Sequence, residues 1–162
     1  MTADGVAIAR AALQDDASRA LIAALNAELS AMYHEPGANH FGLTPTEVAP
    51  GRGAFLVARR GGAPVGCGAV RMLDGETAEL KRMYVAPAAR GTGLGRRLVR
   101  ALEAEARALG VRRLVLETGI RQHAAIALYR ATGFQPIPLY GEYHASPDTS
   151  LCMGKDLAPL AE

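Results

Sequence analysis

Hydrophobic and polar positions change period several times along the chain, and each change predicts an element. Val6 to Arg10 is a short strand candidate. From Ala17 to Tyr33 the residues Ala20, Leu21, Ala24, Leu25, Leu29 and Met32 fall on one helical side, with Asp15 or Asp16 placed to cap the start. The stretch His34 to Leu43 carries a proline and two glycines and reads as a loop. Thr44-Pro45-Thr46-Glu47 has the spelling of a capping box and predicts one helical turn. Ala54 to Arg59, Pro64 to Leu73 and Thr77 to Val85 are strands, separated by Arg60-Gly61-Gly62 and Asp74-Gly75 turns. Such short connections predict an antiparallel meander.

The period then lengthens. Leu94, Leu98, Ala101, Leu102, Glu105 and Leu109 recur near helical spacing, and Gly110 is placed to stop that helix. Arg113 to Thr118 reads as a buried strand, and Gln122 to Ala131 as a helix ended by Gly133. Strand, helix and strand in succession predict a right-handed crossover between parallel neighbours. A strand begins at Phe134, Pro136 to Pro147 is a long loop, and Ser150 to Lys155 closes the chain. The expected fold is a single α/β domain. Its mixed central sheet has about six to seven strands, a meander joined to a parallel βαβ unit, with helices on both faces. No internal repeat or low-complexity tract interrupts it.

Composition narrows the class without naming it. A chain of 162 residues can bury a sizeable core. A hydrophobic content of 49% and a charged content of 21% are ordinary for a soluble protein. A net charge of +2 argues against a nucleic-acid binder. Two cysteines, Cys67 and Cys152, are too few for a disulfide framework and sit in apolar runs as buried free thiols would. No apolar run is long enough to span a membrane and no signal-like start is visible, so the expected location is cytoplasmic. His34, His40, His123 and His144 lack metal-ligand spacing, so no metal is expected.

The chemistry concentrates in Arg90-Gly91-Thr92-Gly93-Leu94-Gly95-Arg96-Arg97, between the strand ending at Val85 and the helix opening at Leu94. Glycine admits close approach of a ligand to the backbone. The first amides of a helix lack intrahelical partners, and the dipole there favours anions. Alternate glycines flanked by arginines at this point read as a phosphate cradle. The spelling fits neither a dinucleotide fingerprint nor a Walker loop, and the kinase motifs H-R-D and D-F-G are absent.

Arg90-x-x-Gly93-x-Gly95, preceded by Glu79-Leu80-Lys81-Arg82-Met83-Tyr84-Val85, resembles the acetyl-CoA site of the GNAT N-acetyltransferase superfamily. Leu128-Tyr129-Arg130-Ala131-Thr132-Gly133-Phe134 is similar to that family's second signature. The resemblance implies acetyl-CoA as donor. It implies that the backbone of Met83, Tyr84 and Val85 pairs with the pantetheine arm, and that Arg90, Gly91, Thr92, Gly93, Leu94, Gly95 and Arg96 hold the diphosphate. Gln122 stands where many relatives have an asparagine that bonds the cofactor arm.

An amine acceptor of pKa about 10.4 must lose a proton before attack. Glu79 is the candidate base, on the strand entering the loop and at the family's glutamate position. Strand alternation puts Glu79, Lys81, Met83 and Val85 on one face. Tyr129 occupies the family position of the acid that meets the leaving thiolate. Tyr33, Tyr140 and Tyr143, with Arg71, Lys81 and Arg82, are candidates to contact the acceptor. The cations among them suit a carboxylate or phosphate.

These expectations describe an acetyltransferase acting on a primary amine of a small molecule, by direct attack in a ternary complex. The rivals are a protein lysine or N-terminal acetyltransferase and a non-catalytic acyl-CoA sensor. The long Tyr33–Pro50 and Pro136–Pro147 segments favour a covered pocket over an open groove. A homodimer stays open.

Overall fold

The computed structural model describes residues 5–158. The chain runs through β1 (Val6–Arg10), α1 (Asp16–Met32), β2 (Gly53–Arg60), β3 (Ala63–Met72), β4 (Thr77–Val85), α2 (Leu94–Ala108), β5 (Arg113–Gly119), α3 (His123–Ala131), β6 (Gln135–Ile137) and β7 (Ser150–Asp156). Short 3-10 helices occupy Pro45–Val48, Pro87–Ala89 and Gly141–Ala145. The capping box at Thr44 forms as the sequence spells it, but on a 3-10 turn. The expected loop from Pro136 to Pro147 is more ordered than its spelling suggests, holding most of β6 and the Gly141–Ala145 helix.

One seven-stranded sheet has the order β1-β2-β3-β4-β5-β7-β6. β1 to β4 pair antiparallel, β4 and β5 parallel, and β7 antiparallel to both β5 and β6. Helices cover both faces because strand alternation makes both faces apolar. On one face, Leu21 and Leu25 of α1 pack on Phe55, Val57, Cys67, Ala69 and Tyr84. On the other, Val99, Leu102 and Ala106 of α2 pack on Leu56, Val70, Ala78 and Leu80, with Tyr129, Phe134 and Met153 continuing that core. Leu98, Val99 and Leu102 are fully enclosed, and each contributes about 1.5–3 kcal/mol by leaving water. The α2 stripe is turned slightly from the expected one. Val99 and Ala106 join it, while Glu105 leaves it to pair with Arg10. Among the described residues no helix is long and apolar enough to cross a membrane.

Two irregularities shape the site. The β4–β5 ladder runs only from Thr77↔Arg113 to Leu80↔Leu116, although β4 continues to Val85 and β5 to Gly119. Beyond Leu80 the two strands part, and β5 stays paired with β7 as far as Ser150. The second is a bulge in β4. Cys67 pairs with Tyr84 but Ala69 pairs with Lys81, so Gly68 alone faces both Arg82 and Met83. Arg82 takes φ 57, the one positive φ of a non-glycine among the described residues. A Cβ on Gly68 would lie 2.5 Å from Met83 Sδ and 2.7 Å from Leu102 Cδ1, so the bulge needs a glycine opposite it.

The bulge corrects one expectation. Glu79, Lys81, Met83 and Val85 do not share a face. Arg82 follows Lys81 toward α1, where it meets Asn26 and Phe41, and Met83 is thrown to the α2 side. Simple alternation holds only up to Lys81.

Candidate active site

Where β4 and β5 part, a cleft of ≈ 520 Å³ opens between the end of α1, the last residues of β4, the start of α2 and α3. Its floor is Met83, Tyr84 and Val85, and its far wall is Gln122 to Ala125 with Leu128 and Tyr129. Gly91, Gly93, Leu94 and Gly95 form its mouth. Gly93 is the N-cap of α2, at φ 83, and has no side-chain oxygen to give the first amides. These donors stay open to a ligand, as an anion site requires. Gly95 lets α2 approach α3 closely, since a Cβ there would stand 3.0 Å from Leu128 Cδ2. The glycines therefore leave the first amides uncapped and allow the helix contact.

The flanking side chains divide the work. Arg90 turns inward; its Nε donates to the Val85 carbonyl at 2.9 Å and its guanidinium pairs with Glu28 at 2.7 Å. Arg90 thus ties the loop to β4 and α1. Thr92 donates its hydroxyl to the Ala89 carbonyl at 2.6 Å, bracing the same turn. Arg96 is exposed on the first turn of α2, outside the cleft lining.

A second, smaller pocket of ≈ 80 Å³ lies directly inside the split. Met83, Gln122, Tyr129 and Leu25 line both spaces, so the two meet at these residues. The Gln122 side chain accepts from the Gly119 amide at 2.8 Å, which fixes it across the end of β5. Tyr129 is almost fully buried, and burial beside Glu117 raises its phenol well above the ordinary value. A phenol raised in this way keeps its proton at neutral pH. His40 and Tyr143 close the pocket from the two long segments, and their rings meet edge to face at 4.9 Å.

Glu117 is the carboxylate that lines this pocket. Burial raises its pKa, partly offset by the Ser150 hydroxyl, which donates to Oε2 at 2.5 Å. Hydroxyls continue from there. Ser150 Oγ lies 2.8 Å from Ser146 Oγ, which lies 2.8 Å from His40 Nε2. His40 Nδ1 meets half-exposed Glu142 at 2.9 Å. A continuous hydrogen-bonded path thus joins Glu117 to the surface.

Glu79 sits differently. It is 0% exposed and does not line the pocket. Arg71 Nε donates to one oxygen at 2.9 Å; the Tyr140 and Tyr143 hydroxyls donate to the other at 2.5 and 2.9 Å. Burial works against the Arg71 charge, yet Glu79 and Glu47 together hold its pKa above the ordinary value. Burial and the Glu79 carboxylate likewise raise both tyrosines. This is a satisfied, buried network that supports the pocket from behind.

The geometry of a strand–glycine loop–helix cradle opening onto a split parallel pair is matched by sequence. A model of the acetyltransferase (GNAT) family matches residues 10–134. The chain belongs to this family. It is an acetyl-CoA-dependent N-acetyltransferase. Among similar proteins, the IAA acetyltransferase of Azospirillum brasilense is 44% identical over 153 residues, 94% of this chain and 98% of that one. The N-alpha-acetyltransferase RimI of Mycobacterium tuberculosis is 39% identical over 102 residues, 60% of this chain and 62% of its own. A solved GNAT acetyltransferase from Elizabethkingia anophelis with acetyl-CoA bound shares the fold, at TM-score 0.70 and 18% identity over 95% of this chain and 99% of that one.

Against this acetyltransferase frame, most of the expected donor-side residues gather at one cleft: Met83, Tyr84, Val85, Arg90, Gly91, Gly93, Leu94, Gly95 and Gln122. Thr92 and Arg96 lie beside it. Of the expected acceptor contacts, Lys81, Arg82 and Tyr143 line the inner pocket. Arg71 and Tyr140 do not; they are consumed by Glu79. Tyr33 does not either. It is buried with its hydroxyl accepting from the Arg121 amide at 2.9 Å, and a Cβ on Gly119 would stand 1.8 Å from that oxygen. Tyr33 is an anchor between α1 and the end of β5.

Sequence reasoning missed Glu117, Ser150, Ser146 and His40 as a set. One signal was available: Glu117 is a lone acid in the apolar run Leu114-Val115-Leu116-Glu117. The serines and His40 come from distant segments and left no such mark.

Proposed function

We propose that this acetyltransferase moves the acetyl group of acetyl-CoA to a primary amine of a small molecule, in a ternary complex. The observation that carries the reading is the meeting of the two spaces at Met83, Gln122 and Tyr129. The outer one suits an elongated donor, and the inner one admits only a compact acceptor group. Closure by His40 and Tyr143 supports a small acceptor over a polypeptide chain. The Azospirillum relative, named for acetylating IAA, supports it too.

In this reading the open amides at Gly93–Gly95 hold the diphosphate, and the unpaired edge of β4 at Met83–Val85 pairs with the pantetheine amides as an added strand would. Acetyl-CoA supplies an activated thioester carbonyl. Glu117 accepts the amine proton, and its raised pKa brings it nearer to the working pH of a base. The path through Ser150, Ser146 and His40 conducts that proton outward. Tyr129 donates to the departing sulfur. Glu79, which the sequence suggests as base, has both oxygens engaged and no access to the pocket. Its proposed role is to position Tyr143 and Arg71.

The Mycobacterium relative favours a second reading, in which the acceptor is a protein N-terminus. One experiment separates them. CoA release is followed with acetyl-CoA, a panel of small amines and a set of unblocked peptides, and products are checked by mass. Acetylated small amines support the proposal; turnover confined to peptides overturns it.

A further inference from the structure

The inner pocket holds an imbalance of charge. Lys81 and Arg82 are each 6% exposed, and Lys81 Nζ and Arg82 Nε are buried without a hydrogen-bond partner. Two less deeply buried cations, Arg71 and Lys155, are by contrast matched. Arg71 meets Glu79 and Glu47, and Lys155 meets Glu103 at 2.8 Å and the Thr132 carbonyl at 2.7 Å. Burying a cationic nitrogen with no partner is costly, so two such nitrogens beside one pocket call for an acceptor that enters it. Arg82 spends one terminal nitrogen on the neutral Asn26 side chain, with its guanidinium 5.0 Å from the Phe41 ring. Lys81 Nζ lies 6.0 Å from the Tyr143 ring centroid. Neither contact gives Lys81 Nζ or Arg82 Nε a hydrogen-bond acceptor, and the Glu79 and Glu142 carboxylates reach Lys81 only through space.

Both cations line the pocket that also contains Glu117. The pocket therefore presents two positive groups and one negative one to whatever enters. Resting on the small-amine reading above, we propose that Lys81 and Arg82 form an anion subsite, and that the acceptor is a compact amine bearing a carboxylate, as an amino acid does. Its amine would face Glu117 and the meeting point at Tyr129, while its carboxylate would accept from Lys81 Nζ and Arg82 Nε. A phosphate fits less well, because a second negative charge would face Glu117 in a space of only ≈ 80 Å³. The strained bulge then has a use. The positive φ of Arg82 sends two consecutive side chains of one strand toward the same pocket, which regular alternation forbids.

The test compares the proteinogenic α-amino acids with their α-carboxamides, each pair differing only in the carboxylate, together with a set of carboxyl-free amines. CoA release gives kcat/KM for each, and calorimetry gives acetyl-CoA affinity. At least one acid should exceed its carboxamide by about tenfold or more, the value of a charge-assisted contact. Lys81→Met should bring that ratio close to one with unchanged acetyl-CoA affinity, whereas Lys81→Arg should keep most of it. The wild-type ratio decides the question even if Lys81→Met fails to fold. Equal use of acids and carboxamides, or turnover of carboxyl-free amines alone, overturns the subsite and leaves the small-amine reading standing. Turnover of no small amine, with acetyl-CoA bound, overturns both.

Discussion

The Ser150 hydroxyl donates to Glu117 Oε2 at 2.5 Å, from β7 to the one carboxylate among the described residues that lines the inner pocket. The bond favours the charged form, and removing it should raise the Glu117 pKa further. The base works deprotonated, so activity is present above that pKa and lost as pH falls through it. Ser150→Ala should therefore move the acid limb of the kcat/KM profile to higher pH. Turnover at neutral pH should drop by roughly 3- to 10-fold. A limb that stays in place would remove Glu117 from the titration.

Glu79→Ala should be chiefly a stability variant. It leaves half-buried Arg71 with one carboxylate fewer and two phenols without their acceptor. Breaking such a buried pair costs about 3–5 kcal/mol, read by urea denaturation. Acetyl-CoA affinity should hold in protein that remains folded. Unchanged stability with a large loss of kcat would return Glu79 to the chemistry.

Gly93→Ala puts a side chain at φ 83 on the N-cap of α2. The left-handed conformation costs an alanine roughly 1–2 kcal/mol, and relief would turn the first amides away from the cleft. Calorimetry should show acetyl-CoA binding weakened about fivefold or more. Unaltered affinity would place the diphosphate elsewhere.

Tyr129→Phe keeps the ring that packs on Phe134 at 5.8 Å and removes only the hydroxyl. Turnover should fall by about tenfold or more while acetyl-CoA affinity barely moves. Parallel losses in both would assign Tyr129 to packing.

The donor side was legible in the sequence because it is local. Gly91 to Gly95 sit between a strand and a helix within one stretch, and the cradle they form is backbone. The acceptor side was not, because it is assembled from afar. Tyr140 and Tyr143 reach Glu79 from some sixty residues downstream and engage the carboxylate that the sequence offers as a base. Arg82 has an ordinary strand spelling around it. Only Gly68, on the neighbouring strand, permits the bulge that reverses Met83. His40 belongs to a segment that reads as a loop, and its tie to Ser146 crosses 106 residues.

Glu117, inside the β4–β5 split, is proposed to take the proton from the acceptor. The most direct measurement is the pH profile of kcat/KM at saturating acetyl-CoA for the wild type and Glu117→Gln, which keeps shape but cannot accept a proton. The wild type should show an acid limb above the ordinary carboxylate range of about 4.3, since burial raises this group. The variant should lose about 100-fold or more at neutral pH and recover partly as pH approaches the amine's own pKa, where solvent supplies the free amine. A variant profile that overlays the wild type in shape and magnitude would take Glu117 out of the proton transfer.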